Sequence, residues 1–311
     1  MGECSRVLAF GPVFLIGLCY AIAAPSGSED ASALASRAQL PPLPSEAPLR
    51  QRCESVARNL ETTLPEHWTV TVAAPYVLGT NASADEMDRW RQEIILPTAR
   101  ALQVDYFDAA PSEPIAILIA TTDADYEECA ARLGHRGRSE YAGIYSRLDR
   151  RLILNVSTGE GTLAHELTHA LAHVDFPAMP EWFDEGLASL HEDSEFSDDG
   201  LQLLGLDNWR GDLLRERHQQ RKLPPLENFM TEDFSGSHAA LNYAMARSLC
   251  LFLQQRGRLS AFYRKSRANA EIDPTAGWSL AAVLGHDDLR GVEAEFHAWI
   301  EKSSRSKATK H

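Results

Sequence analysis

Residues 165–169 read His165-Glu166-Leu167-Thr168-His169, and residues 180–188 read Pro180-Glu181-Trp182-Phe183-Asp184-Glu185-Gly186-Leu187-Ala188. The fold is decided here, because each stretch reads as a helix and the side chains they carry are of use only if the two helices meet. On an α-helix, positions four apart differ by about 40° in azimuth and about 6 Å in rise, so the imidazoles of His165 and His169 can turn toward one point. Glu166 projects between them. Imidazole nitrogens and a carboxylate oxygen are donors that zinc favours, and a spare carboxylate beside such an ion can take a proton from metal-bound water, whose pKa falls to about 7. The spacing predicts His165 and His169 as zinc ligands and Glu166 as the general base.

Working outward, Ser157 followed by Glu160 reads as a capping box that starts the first helix. Leu163, Ala164, Leu167, Ala170, Leu171 and Val174 recur at helical spacing and form one apolar stripe. His165, Glu166 and His169 lie opposite that stripe, so the helix is expected to seat itself in a core and line a cleft with its polar face. Asp175-Phe176-Pro177 ends it, because the residue before a proline is pushed out of the helical region. His173 lies about 12 Å along the axis from His165, too far to share a cation held by bonds of about 2 Å, and is expected at the surface. The third ligand comes from the second helix, which begins at Pro180. Glu185 is preferred over Glu181 because Gly186 follows it, and a glycine inside a helix is accounted for by close approach of the two helices. Asp184 is the alternative ligand, or a partner to one of the histidines.

The segments 163–171 and 180–188 together resemble the gluzincin metallopeptidases, and most closely the bacterial peptidase MA-like group. The resemblance is strong over these two helices and extends weakly across residues 140–255. It implies that His165, His169 and Glu185 bind zinc and that Glu166 is the base. It also implies an α+β, zincin-like fold, with a small mixed sheet, an active-site helix and a helical C-terminal lobe. The spacing from His169 to Glu185 is shorter than in thermolysin-like relatives. Such enzymes also carry a tyrosine or histidine that steadies the oxyanion. The resemblance points to Tyr243, at the start of a long apolar helix, and His238 is the other residue that fits; Tyr243 reads equally well as a core ring.

The chain of 311 residues is 44% hydrophobic and 24% charged, enough to bury a substantial core around one catalytic unit. Its net charge of −14 argues against nucleic acid as a partner, since phosphate contacts need a basic surface. Residues 1–23 read as a signal peptide, with Arg6 ahead of an apolar run and Ala21-Ile22-Ala23 as the cleavage site, which implies a secreted or periplasmic protein. An uncleaved membrane anchor is the alternative, and no later segment is apolar enough to span a bilayer. Residues 24–49 are rich in Pro, Ser and Ala and read as a poorly ordered linker or pro-segment. The zincin-like unit is expected over 50–302, and 303–311 as a fraying tail. After signal removal, Cys53, Cys129 and Cys250 remain, an odd count that permits at most one internal disulfide, with at least one cysteine a buried apolar residue.

Elsewhere the pattern is α+β. Helices are expected at 46–63 and 84–107, the second with a kink at Pro97, and from Asp123 onward. Strands are expected at 67–73, 114–120, 141–145 and 151–156, the last two joined by a turn near Asp149. One of these strands can offer an edge to an extended peptide substrate, as gluzincins commonly do. Helices at 207–222, 238–255, 259–269, 279–284 and 288–302 complete the C-terminal lobe. The expected function is peptide-bond hydrolysis, with zinc as cofactor and a peptide or protein as substrate. Two other readings use the same residues: a non-catalytic zinc module that binds peptides or cell-envelope components, and a zinc amidase acting on cell-wall peptides.

Overall fold

The computed structural model describes residues 46–135 and 143–308. Residues 1–23, read as a signal peptide, most of the stretch read as a linker, the first two residues of the strand expected at 141–145 and the last three residues of the chain lie outside the described residues. The fold is mixed α+β. Five strands, β1 (Thr69–Ala73), β2 (Tyr76–Thr80), β3 (Ile115–Ala120), β4 (Gly143–Ser146) and β5 (Arg151–Asn155), form one sheet in the order β1-β2-β3-β5-β4. The central pairs β2/β3 and β3/β5 are parallel and the two outer pairs antiparallel.

Strand β3 shows why the sheet is covered on both sides. Its alternating residues face opposite ways. Ile115, Ile117 and Ile119 enter one core, together with Leu152 and Leu154 of β5, while Ala116, Leu118 and Ala120 enter a second core with Ile153. The second core is closed by helices α1 (Glu46–Thr63) and α4 (Asp123–Arg132), which contribute Leu49, Cys53, Leu60, Tyr126 and Cys129. The first and larger core is shared with the helices that follow the sheet. These include α5 (Gly161–Asp175) and α6 (Glu181–Glu192), then α7 (Trp209–Gln219) and the short α8 (Leu226–Phe229). Next come α9 (Ala239–Gln255), α10 (Leu259–Ala268), α11 (Gly277–Leu284) and α12 (Leu289–Ala308). Among the described residues, no helix is long and apolar enough to cross a membrane.

Several expectations are corrected. The single helix expected at 84–107 is α2 (Ala84–Trp90), a π-helical turn at Arg91–Ile95, and α3 (Leu96–Asp105). Pro97 lacks an N–H and its ring crowds the carbonyl four residues back, and the wider turn ahead of it takes up that misfit. The linker ends earlier than expected, since α1 starts at Glu46 and Leu49 is buried. The C-terminal helix runs on to Ala308 instead of fraying from Ser303; Ser303 and Ser304 donate their hydroxyls to the carbonyl of Ile300 inside it. Cys53, Cys129 and Cys250 are all free and buried, so the disulfide allowed by their number does not form.

Gly186 also has a different reason for being glycine. A Cβ there would lie 2.7 Å from the carbonyl oxygen of Ala246 and 3.0 Å from Cys250 Sγ, both on α9, so the close neighbour of α6 at this point is α9 and not α5. Gly186→Ala should push these helices apart and lower stability by about 1–3 kcal/mol, the usual cost of overpacking, read as a drop in the midpoint of denaturant unfolding. A midpoint within error of the parent's would contradict this packing.

Candidate metal centre

The site is built by two antiparallel helices and one edge strand. Helix α5 follows β5 through a short 3-10 turn, runs beneath the sheet, and stops at Asp175 before Pro177. The chain then turns back, and α6 starts after Pro180. Gly161, the first residue of α5, lies against the carbonyl of Glu192 at the end of α6, with no room for a side chain. This pairing sets His173 beside Asp184, His169 beside Asp184 and Glu185, and His165 between Glu185 and Glu192.

The capping box expected at Ser157 and Glu160 is not formed. The Ser157 hydroxyl bonds to Asn155 and Asp123, and Glu160 takes hydrogen bonds from Arg89 and from the indole of Trp90, 2.8 Å away. Both side chains are claimed by distant partners that outcompete the local motif. The apolar stripe does enter the core: Leu163, Leu167, Ala170 and Leu171 are buried. The polar face is more enclosed than an open cleft, because α6 and β4 cover it; Glu166 is 8% and His169 7% exposed.

Three donor atoms converge. His165 Nε2 and His169 Nε2 lie 3.2 Å apart, and Glu185 Oε2 is 3.8 Å from the first and 3.6 Å from the second. Bonds of about 2.0–2.2 Å in a tetrahedral set hold neighbouring donors about 3.3–3.6 Å apart, so this triangle has the dimensions of one face of a zinc shell. Glu185 Oε2 is buried without a hydrogen-bond partner. A buried carboxylate oxygen left unsatisfied is costly, and a cation within the triangle would satisfy it. The residues present therefore fit a zinc ion.

Each imidazole is also held from behind. His169 Nδ1 lies 2.7 Å from Asp184 Oδ1, whose other oxygen is 2.6 Å from His173 Nε2. Burial opposes a charge on Asp184, but the His169 and His173 rings hold its carboxyl far below the ordinary range. Burial likewise lowers His169, and the Asp184 and Glu185 carboxylates more than reverse this, leaving it well above the usual histidine value. Asp184 thus orients His169 and stays out of the donor triangle. His173 is not a surface residue: it is mostly buried, clamped by Asp184, with its ring 5.4 Å from that of Tyr145. The atoms of His169, His173 and Asp184 also lie close enough together to suit a metal. Their contacts of 2.6–2.7 Å are hydrogen bonds, shorter than the spacing between ligands of one ion.

On the His165 side, Nδ1 lies 3.6 Å from Glu192 Oε2, which pairs at 3.0 Å with Arg210 Nη1. Burial raises Glu192, but His165 and Arg210 hold its carboxyl down to about 2. Neither residue was expected from the sequence. Glu192 sits two helical turns after Glu185 on the same face, and that spacing was the available signal; Arg210 comes from another helix and had none.

A cavity of about 270 Å³ opens onto this group, lined also by Gly143, Ile144, Tyr145 and Tyr243. β4 is a terminal strand of the sheet, and a Cβ on Gly143 would lie 2.6 Å from Glu166 Oε1, so the strand passes directly over the proposed base. Burial pushes Glu166 above the ordinary carboxylate value, with His165 and His169 pulling it back and Glu185 and Asp184 adding to the rise. Tyr243 lines the same cavity; its hydroxyl is raised by burial and then by the Glu185 carboxylate, and its ring packs edge-on against Phe234 at 5.1 Å. The second oxyanion candidate, His238, is exposed and lines none of this cavity.

Compared with known protein families and with curated proteins, the chain matches none. The geometry of the residues is therefore what carries the functional reading.

Proposed function

We propose that this chain is a zinc-dependent peptidase with a zincin-like site, in which His165, His169 and Glu185 hold the metal and Glu166 moves the proton. The observation that carries this reading is the triangle of His165 Nε2, His169 Nε2 and the unpartnered Glu185 Oε2. When bound, zinc supplies Lewis acidity that polarises a carbonyl and brings the pKa of water to about 7. The chain's own residues do the rest. The Glu166 carboxylate takes the proton of the attacking water and returns it to the departing amine. The terminal strand β4 offers main-chain groups of residues 143–145 to an extended substrate, which turns its scissile bond toward Glu166. Tyr243 donates its hydroxyl to the carbonyl oxygen as negative charge develops there. A secreted or periplasmic setting follows from the reading of residues 1–23 as an export signal.

The test is cleavage of a mixed peptide pool by the purified chain, with and without a chelator. Cleavage that the chelator abolishes and added zinc restores supports the proposal; a zinc-loaded chain that cleaves no peptide contradicts it. Tyr243→Phe keeps the ring and removes only the donor. It should lower kcat by about 10²-fold with little change in KM, the signature of a contact made mainly in the transition state. Unchanged kcat would return Tyr243 to the role of a packing residue.

A further inference from the structure

Strand β4 places two of its residues over the metal centre. Successive residues of a strand face opposite ways. Ile144 enters the second core beside Ile153, so Gly143 and Tyr145 share the other face, the one that meets α5. At Gly143 a Cβ would run into the Glu166 side chain. Tyr145, the next position on this face, is partly buried and lines the cavity of about 270 Å³ together with His173. Their ring centroids are 5.4 Å apart and their planes inclined at 33°. His173 is held by Asp184 at 2.6 Å, and the same carboxylate holds His169 at 2.7 Å. One group thus braces both this aromatic wall and an imidazole of the donor triangle. Burial pushes the Tyr145 phenol up to about 12, so the ring it presents is neutral.

We propose that Tyr145, backed by His173, is the specificity-determining residue of this cleft and selects an aromatic or large aliphatic side chain in the substrate. This selection presupposes the peptidase reading and gives it a substrate class. A peptide added to the edge of β4 pairs with that strand residue by residue, and directly opposed side chains project to the same face. The substrate residue opposite Gly143 therefore lies over Glu166, and the residue opposite Tyr145, two positions away, meets the paired rings. A flat apolar surface of this kind attracts aromatic and aliphatic groups. The acids of the cavity do not call for a basic side chain. Asp184 is committed to two imidazoles, Glu185 to the donor triangle and Glu166 to the proton. Tyr243, edge-on against Phe234 at 5.1 Å, adds a second aromatic ring to the lining.

Peptides that carry phenylalanine, leucine, lysine or alanine in turn at each position near the scissile bond test this on the zinc-loaded full chain. At one position kcat/KM should be at least about tenfold higher for phenylalanine and leucine than for alanine. Tyr145→Ala should bring that ratio below about threefold, and Tyr145→Phe, which keeps the ring, should retain it. Because the readout is a ratio within one variant, a general loss of activity or stability does not imitate the result. A ratio unchanged in Tyr145→Ala, or a preference for lysine over phenylalanine at that position, would overturn the assignment. A parent chain that cleaves none of these peptides contradicts the peptidase reading and leaves the cleft to be judged by binding. Calorimetry with the same peptides then decides, as it does for a variant too slow to assay. Tighter binding of the phenylalanine peptide that Tyr145→Ala abolishes supports the wall; equal binding of the phenylalanine and alanine peptides by the parent chain overturns it.

Discussion

Glu166→Gln is expected to retain a full equivalent of zinc while kcat/KM for peptide cleavage falls by about 10²- to 10⁴-fold, the usual contribution of a positioned acid–base group. Glutamine has nearly the same shape, so the strand that passes over this position at Gly143 should stay in place. What disappears is the ability to accept a proton, and glutamine has no second protonation state with which to replace it. The loss should fall mainly on kcat, because substrate held along β4 does not depend on that proton. Metal analysis together with steady-state kinetics separates the outcomes. Full activity in the glutamine variant would take Glu166 out of the mechanism.

His169→Ala should act one step earlier, at the metal. The ring contributes Nε2 to the donor triangle and is fixed from behind by Asp184 at 2.7 Å. Without it, His165 and Glu185 are left as a two-donor site. Asp184, only 13% exposed at its side chain, also loses one of its two histidine partners. A buried carboxylate deprived of a partner is destabilising by several kcal/mol at most, so the variant should melt lower as well as bind less zinc. Zinc per chain should drop to near zero at this site, and cleavage should vanish with it. If zinc were retained at the parental level, the cation would have to sit elsewhere.

Parts of the molecule governed by local spacing were legible in the sequence. The limits of α1 follow from its periodicity, the end of α5 from Pro177, and the start of α6 from Pro180, all as found. The two imidazoles and Glu166 were fixed relative to one another by helix geometry alone. What depended on distant partners was not legible. Strand β2 was missed because its five residues include Gly79, which reads as a turn; in the fold its position is packed by the side chains of Leu118 on the neighbouring strand and Leu64. The hairpin of β6 (Ser194–Phe196) and β7 (Leu203–Gly205) was missed because its strands are three residues each.

The misread residues of the site follow the same division. Ser157 and Glu160 have the right spacing for a cap, yet Asp123, Arg89 and Trp90 claim them from elements far away in sequence. The position of His173 along the helix axis correctly kept it out of the donor triangle, but could not reveal that Asp184 would reach across to it. Gly186 signals a close approach without naming the neighbour, which proved to be α9. Glu192 and Arg210 back His165 only because the ends of α6 and α7 are brought together in the fold.

The most direct test of the central claim is anomalous diffraction at the zinc edge from crystals of the full chain grown with zinc. One strong peak within about 2.0–2.2 Å of His165 Nε2, His169 Nε2 and a Glu185 carboxylate oxygen is the expected result. An empty triangle in zinc-grown crystals, or a Glu185 turned away from the two imidazoles, would contradict it.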